Sequence, residues 1–394
     1  MNKTTAFVPP AHRISSFEPY FFASLGKKIA QMKKQGTDVI RIDMGSPDLP
    51  PAGFIIDELI KDSQRADTHG YSPIGGTPAF KQAVAEYYLN RFEVTLDPAS
   101  EIVGLIGSKE GLFNLSQVIL NPGDVALVPD PGYPVYSASG IIAGGEVVQF
   151  PLLAENHFLP DLQAIPADVL ERAKILWLNY PNNPTGAVAS MAFFEEVVSF
   201  ARKHRILVAH DAPYVDICFD GYVAPSILQV PGAKDVAVEF NSLSKTYNMA
   251  GWRLGMAVGN PDVIDYLFTY KSQMDTSNFG PIFTAGVAAL TGDQDWLEER
   301  NLVYKERRDL VVDGLRGAGL TLEVPMAAIY VWARLPQGET DSIKFCSRML
   351  DETGVSTTPG IIYGKHGEGF LRVSLGTSTQ RIKEAMDRLA NWKR

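Results

Sequence analysis

Seven short runs of apolar, β-rich residues recur between positions 101 and 259: EIVGLIG, DVALVPD, EVVQF, AKILWLNYP, RILVAHD, VAVEFNS and RLGMAVG. Between most of them lie segments whose apolar residues fall three and four apart, including AFKQAVAEYYLNRF, MAFFEEVVSFARKH and PDVIDYLFTYKSQM. Strands that are apolar on both faces and linked through helices predict a parallel or mostly parallel sheet covered on either side. Residues 46–295 therefore read as one large α/β domain.

From residue 293 the pattern changes. DQDWLEERNLVYKERRDLVVDGLRGAG has the charge and spacing of a long exposed helix. Strand-like TLEVPMAAIYVWARL, a helix near 341–353, strand FLRVSLG and a closing helix, TQRIKEAMDRLANWK, predict a smaller α+β unit. Residues 16–36 form an amphipathic segment ending at Gly36, followed by a short strand, VIRIDMG. Packing of that N-terminal helix on the smaller unit would build it from both termini, 1–45 and 296–394.

Composition narrows the class. The 394 residues are 45% hydrophobic and 21% charged, as in ordinary globular proteins, and long enough for two domains. A net charge of −9 argues against a nucleic-acid-binding surface. Cys218 and Cys346 are the only cysteines and lack metal-ligand spacing, which points to a reducing compartment without zinc. The opening MNKTTAFVPPAHRISSF has no apolar leader core, and no run approaches a membrane span. The expectation is a cytoplasmic protein with no membrane partner.

The richest chemistry lies in SLSKTYNMAGWRLG, residues 242–255. Lys245 stands among Ser242, Ser244 and Arg253. A lysine amine becomes a covalent catalyst by forming a Schiff base with an aldehyde, usually pyridoxal phosphate. The phosphate of that cofactor needs hydroxyl donors and a fixed guanidinium.

Other polar residues follow predicted strands, where open α/β sheets bind ligands. Ser108 and Lys109 in GSKEGLFNL open a helix and could cradle a phosphate, or Ser108 could simply be its N-cap. Asn183 in YPNNPTG could meet a ring oxygen or only make a turn. Asp211 in HDAPY could pair with a pyridine nitrogen, with Tyr214 beside it. Tyr133 in DPGYPVY could stack on a ring or join the core. Arg372, mid-strand in GFLRVSLG, needs an anion, either an internal carboxylate or a substrate's.

Together, from MGSPD at 44–48 through Arg372, these motifs resemble the class I/II aminotransferases of fold type I, the aspartate aminotransferase superfamily. The resemblance implies a pyridoxal 5′-phosphate enzyme in which Lys245 carries the cofactor and shuttles the substrate α-proton. It implies that Asp211 holds the ring nitrogen, Asn183 and Tyr214 contact the ring oxygen, and Tyr133 stacks on the ring. Ser108, Lys109, Ser242 and Arg253 would bind phosphate, helped by Tyr71 of a partner subunit, from YSPIGG; that sharing requires a homodimer. Arg372 would clamp the α-carboxylate near the Gly45 backbone. An ordinary lysine titrates near ~10.4, so a base needs a lowered value, expected from the cationic ring and Arg253.

GSKEG, DPGYPVY and NYPNNPTG look most like LL-diaminopimelate aminotransferases, and EPYFFASL, with Tyr20, resembles their substrate-contacting N-terminal segment. The expected reaction moves an amino group between an L-amino acid and a 2-oxo acid, with glutamate and 2-oxoglutarate as partner pair. Two departures stand out. Ile74 occupies the neighbourhood of an acidic residue in plant-type members. KSQMDTSNFGPIF lacks the arginine that aspartate aminotransferases use for a side-chain carboxylate. A broader aspartate, alanine or aromatic transaminase therefore stays open, as does a β-lyase using the same residues.

Overall fold

The computed structural model describes residues 7–17 and 21–392. In chain order its strands are β1 (Ile40–Arg41), β2 (Ile102–Leu105), β3 (Val125–Asp130), β4 (Glu146–Pro151), β5 (Ala173–Asn179), β6 (Leu207–Asp211), β7 (Ala237–Ser242) and β8 (Gly255–Gly259). β9 (Tyr330–Arg334), β10 (Val355–Ser356), β11 (Thr358–Pro359) and β12 (Phe370–Ser374) follow.

All seven apolar runs become strands of one seven-stranded sheet, ordered β2-β8-β7-β6-β5-β3-β4. Only β8 runs antiparallel to its neighbours, so the sheet is mostly parallel. Side chains alternate across a strand, which divides each run between two cores. Val125, Leu127, Leu176 and Val208 enter one apolar cluster. Ala126, Val128, Ile175, Trp177 and Ala209 enter the other.

The later strands form a three-stranded antiparallel sheet, β11-β12-β9, and a parallel pair, β1-β10. Ile40 and Ile42 join an apolar cluster with Tyr304, Val311, Leu371 and Leu389. The helix Phe21–Lys34 meets the helix Ser342–Thr353 through Ile29 and Leu350, with Lys28 bonded to Asp351. Among the described residues no helix is long and apolar enough to cross a membrane.

Two predicted strands are shorter than their apolar runs. VIRIDMG pairs only at Ile40–Arg41; Ile42 still bonds Ser356 and Ser374 through its backbone, and side chains take over at Asp43. Thr358 Oγ1 and Arg372 Nη2 both donate to the Asp43 carbonyl, at 3.1 and 2.8 Å. In TLEVPMAAIYVWARL only Tyr330–Arg334 is a strand. Pro325 supplies no N–H, and Ala328 takes a left-handed φ of 66°.

Candidate active site

The carboxyl ends of β3, β5, β6 and β7 open on a cavity of about 840 Å³. It is lined by Ser108, Lys109, Tyr133, Asn183, Asp211, Tyr214, Ser242, Lys245 and Arg253, with Gly45 and Arg372 opposite. Tyr71 does not line it and is 90% exposed. Tyr20 lies outside the described residues.

One end of the cavity is built from cations and hydroxyls. The helix Ser108–Ile119 starts with Ser108 as its first residue, and Gly107, not Ser108, occupies the N-cap position without a side-chain cap. The Ser108 hydroxyl is therefore not consumed in capping. Gly107 has φ 70° and ψ 151°, and a Cβ there would collide with the Arg253 guanidinium. Arg253 donates to the Ala250 carbonyl at 2.9 Å and to Ser244 Oγ at 3.4 Å. Ser242 caps the short helix Leu243–Thr246 by accepting from Ser244 N at 3.2 Å. A helix N-terminus, two cations and three hydroxyls make a cup for an anion. Lys109 Nζ also lies 5.6 Å from the Tyr133 ring centroid.

Asp211 ends β6 and is buried. Tyr136 donates its hydroxyl to Oδ2 at 2.7 Å, and Asn179 Nδ2 donates to the Asp211 carbonyl at 2.6 Å. Oδ1 is buried with no partner. Burial pushes this carboxyl up to about 6, against the opposing pull of Tyr136, His210 and Lys245. An orphaned, buried carboxylate oxygen calls for a donor, and a protonated ring nitrogen supplies one.

Lys245 Nζ donates to the Gly45 carbonyl at 2.5 Å. Burial first, then the positive charges of Arg372 and Arg253, bring its amine down to about 8, while Asp211 pulls the other way. Burial leads the lowering, and Arg253, expected from sequence, contributes after Arg372. Gly45 is required here because a Cβ would strike the Tyr330 hydroxyl, which bonds the Tyr214 hydroxyl at 2.8 Å.

Arg372 has no carboxylate within ion-pair distance among the described residues. Nη1 donates to Asn183 Oδ1 at 2.9 Å and Nη2 to the Asp43 carbonyl, while Nε is buried without a partner. Its guanidinium sits 4.3 Å from the Tyr330 ring centroid and 4.9 Å from that of Tyr363. Because Asn183 Oδ1 is occupied, the amide presents its NH2 as donor. Among the described residues, the internal carboxylate partner left open by the sequence is absent.

Tyr136, Asn179, Tyr330 and Ser244 complete the site. Ser244 and Tyr136 sit inside motifs already singled out. Tyr136 stacks on Trp177 with centroids 4.9 Å apart. Asn179 opens the NYPNNPTG motif, and Tyr330 carried no linear signal.

Comparison with known proteins agrees with this geometry. The family described as aminotransferase class I and II matches residues 37–389. The LL-diaminopimelate aminotransferase of Moorella thermoacetica is 51% identical over 96% of this chain and 97% of its own. That of Dehalococcoides mccartyi is 49% identical over 97% and 98%. Substrate-bound BacF from Bacillus subtilis superposes with a TM-score of 0.93 at 36% identity, covering 97% of both chains. Maleate-bound aspartate aminotransferase from Thermus thermophilus gives 0.90 at 29% identity, covering 97% of this chain and 99% of its own. The fold type I architecture implied by the motifs is thus the observed one, and the chain belongs to the class I and II aminotransferases.

Proposed function

We propose that this aminotransferase holds pyridoxal 5′-phosphate in the cavity and moves an amino group between LL-diaminopimelate and 2-oxoglutarate. One observation carries the cofactor reading: Asp211 Oδ1 lacks a donor in the wall of the cavity that also holds Lys245. The two relatives named LL-diaminopimelate aminotransferase, about half identical over nearly the whole chain, support the substrate.

The residues present fit the group. Ser108, Lys109, Ser242, Ser244 and Arg253 would hold its phosphate. Asp211 would pair with the ring nitrogen, Tyr133 would lie on the ring, and Asn183 and Tyr214 would donate to its oxygen. Lys245 would carry it covalently. When bound, the group supplies an electron sink that acidifies the substrate α-proton.

The chain's own residues do the rest. Arg372 would take the substrate α-carboxylate in its planar fork beside the Gly45 backbone. That grip would set the α-carbon within reach of Lys245. With an amine lowered to about 8, Lys245 would take the α-proton near neutrality and deliver it to C4′ of the cofactor.

Tyr71 would reach the phosphate of a second copy, making a homodimer with shared sites. The exposed Tyr71 neighbours further apolar surface: Phe279 packs against His69 with centroids 5.6 Å apart, and Phe268 is also exposed. Two free cysteines suit a cytoplasmic enzyme.

The test is a single-turnover absorbance scan of the cofactor-loaded protein. LL-diaminopimelate, glutamate, aspartate, alanine and phenylalanine are added singly, without any 2-oxo acid. LL-diaminopimelate and glutamate should convert the cofactor to its amino form fastest. Equal conversion by all five would make the enzyme a broad transaminase. Release of ammonia without conversion would make it a lyase.

A further inference from the structure

His210 and Asp211 are consecutive on β6 and project to opposite faces of the sheet. His210 pairs in register with Glu239 of β7, and both side chains are 0% exposed. His210 Nδ1 lies 2.8 Å from Glu239 Oε2, and Nε2 lies 3.1 Å from the Tyr180 carbonyl. Tyr180 opens the loop that carries Asn183.

Both partners of the imidazole are acceptors. A peptide carbonyl cannot donate, so Nε2 carries a proton. Glu239 already receives the Tyr88 hydroxyl at 2.9 Å, the Ser226 hydroxyl at 2.9 and 3.0 Å, and the Ile227 N–H at 3.2 Å. Glu239 acts as an acceptor toward all of these donors, and toward Nδ1 as well, so Nδ1 carries a proton too. Phe194 closes the site, edge-on to the imidazole at 5.0 Å. The titratable groups on the His210 side of the sheet are Glu239 and, bonded to it, Tyr88, whereas Asp211 lies on the other face.

We propose that His210 is a positioning residue: an imidazolium locked between Glu239 and Tyr180, it pins the Asn183 loop and sets a fixed positive charge behind the Asp211 carboxylate. The role rests on the cofactor reading above. Burial works to protonate Asp211, and two cations oppose it, Lys245 and His210. Lys245 surrenders its proton from about 8 upward. The His210 charge follows instead from geometry, because both ring nitrogens face acceptors. The charge preserves a carboxylate able to hold a protonated ring nitrogen.

The first measurement is ¹⁵N NMR of the histidine-labelled holoenzyme, with His210 assigned by its loss in His210→Gln. Both ring nitrogens should resonate as protonated at neutral pH, as two committed donors require. A neutral tautomer at neutral pH overturns the proposal, whether or not the cofactor reading stands.

The second measurement uses the double variant His210→Gln/Glu239→Gln, which replaces the pair with two neutral amides and strands no charge. Cofactor affinity of the unmodified protein should fall as pH drops through about 6, where Asp211 protonates. In the double variant that fall should begin at a higher pH. Weakening by the same factor at every pH would reduce the pair to a structural support and overturn the electrostatic role. Failure of the unmodified protein to bind cofactor would sink the cofactor reading instead, and the NMR result would still decide the charge of His210.

Discussion

Arg372 on β12 donates to the Asn183 amide oxygen at 2.9 Å, joining residues 189 positions apart. One guanidinium thereby orients a cavity-facing amide and has no carboxylate within ion-pair distance among the described residues. Arg372→Lys keeps the charge but loses the planar fork and the bond geometry to Asn183 and Asp43. Its kcat/KM for amino-acid substrates should fall by about 10²-fold, chiefly through KM, with cofactor retention little changed. Steady-state kinetics beside a dialysis assay of bound cofactor would separate the two.

Gly107 holds a backbone conformation open almost only to glycine, at φ 70° and ψ 151°. Gly107→Ala should cost about 1–3 kcal/mol of stability from the backbone alone. Its methyl would also displace the Arg253 guanidinium, so cofactor affinity should drop at least ~10-fold. Thermal melts of the cofactor-free protein read the first effect, and absorbance titration with cofactor reads the second.

Lys245→Met should abolish turnover and yet stabilise the cofactor-free protein. The folded amine titrates near 8 and the unfolded one near 10.5. Between those values the unfolded chain binds more protons, so stability rises with pH through that window. Below it the full cost of burying the ammonium is present. Because Lys245 keeps some exposure to the cavity, the variant's advantage at neutral pH should be on the order of 2 kcal/mol. It should shrink as pH climbs from about 8 to about 10.5. Urea melts at several pH values would test the sign.

A shared site predicts complementation. Tyr71→Ala and Lys245→Ala should each be strongly impaired alone. Refolded together, they should regain activity, since one site of the hybrid pairs an intact Lys245 with an intact Tyr71. No recovery from mixtures shown to contain hybrids would place Tyr71 outside the neighbouring site.

The large sheet was readable in the sequence because strands buried on both faces leave unbroken apolar runs. The helix Gly280–Thr291 escaped for a related reason. It packs against the helices Gly53–Ser63 and Pro78–Phe92, and its small apolar residues display no polar face to set a period. Strand ends told where the ligand-facing residues would be, so Ser108, Asn183, Asp211 and Lys245 were legible. Tyr330 was not, because its contact with Tyr214 spans 116 positions and depends on how two sheets meet. The His210–Glu239 pair likewise follows from strand register, which no spacing along the chain records.

The cup from Ser108 to Arg253 comes from one continuous stretch, whereas the opposite wall joins Asp43 and Gly45 near the start to Arg372 near the end. A ribosome therefore delivers the two halves at different times. Every residue proposed to hold the cofactor has been synthesised once residue 253 is in place, but Arg372, proposed to take a substrate carboxylate, must wait for β12. On that reading, substrate selection is the last competence the growing chain acquires.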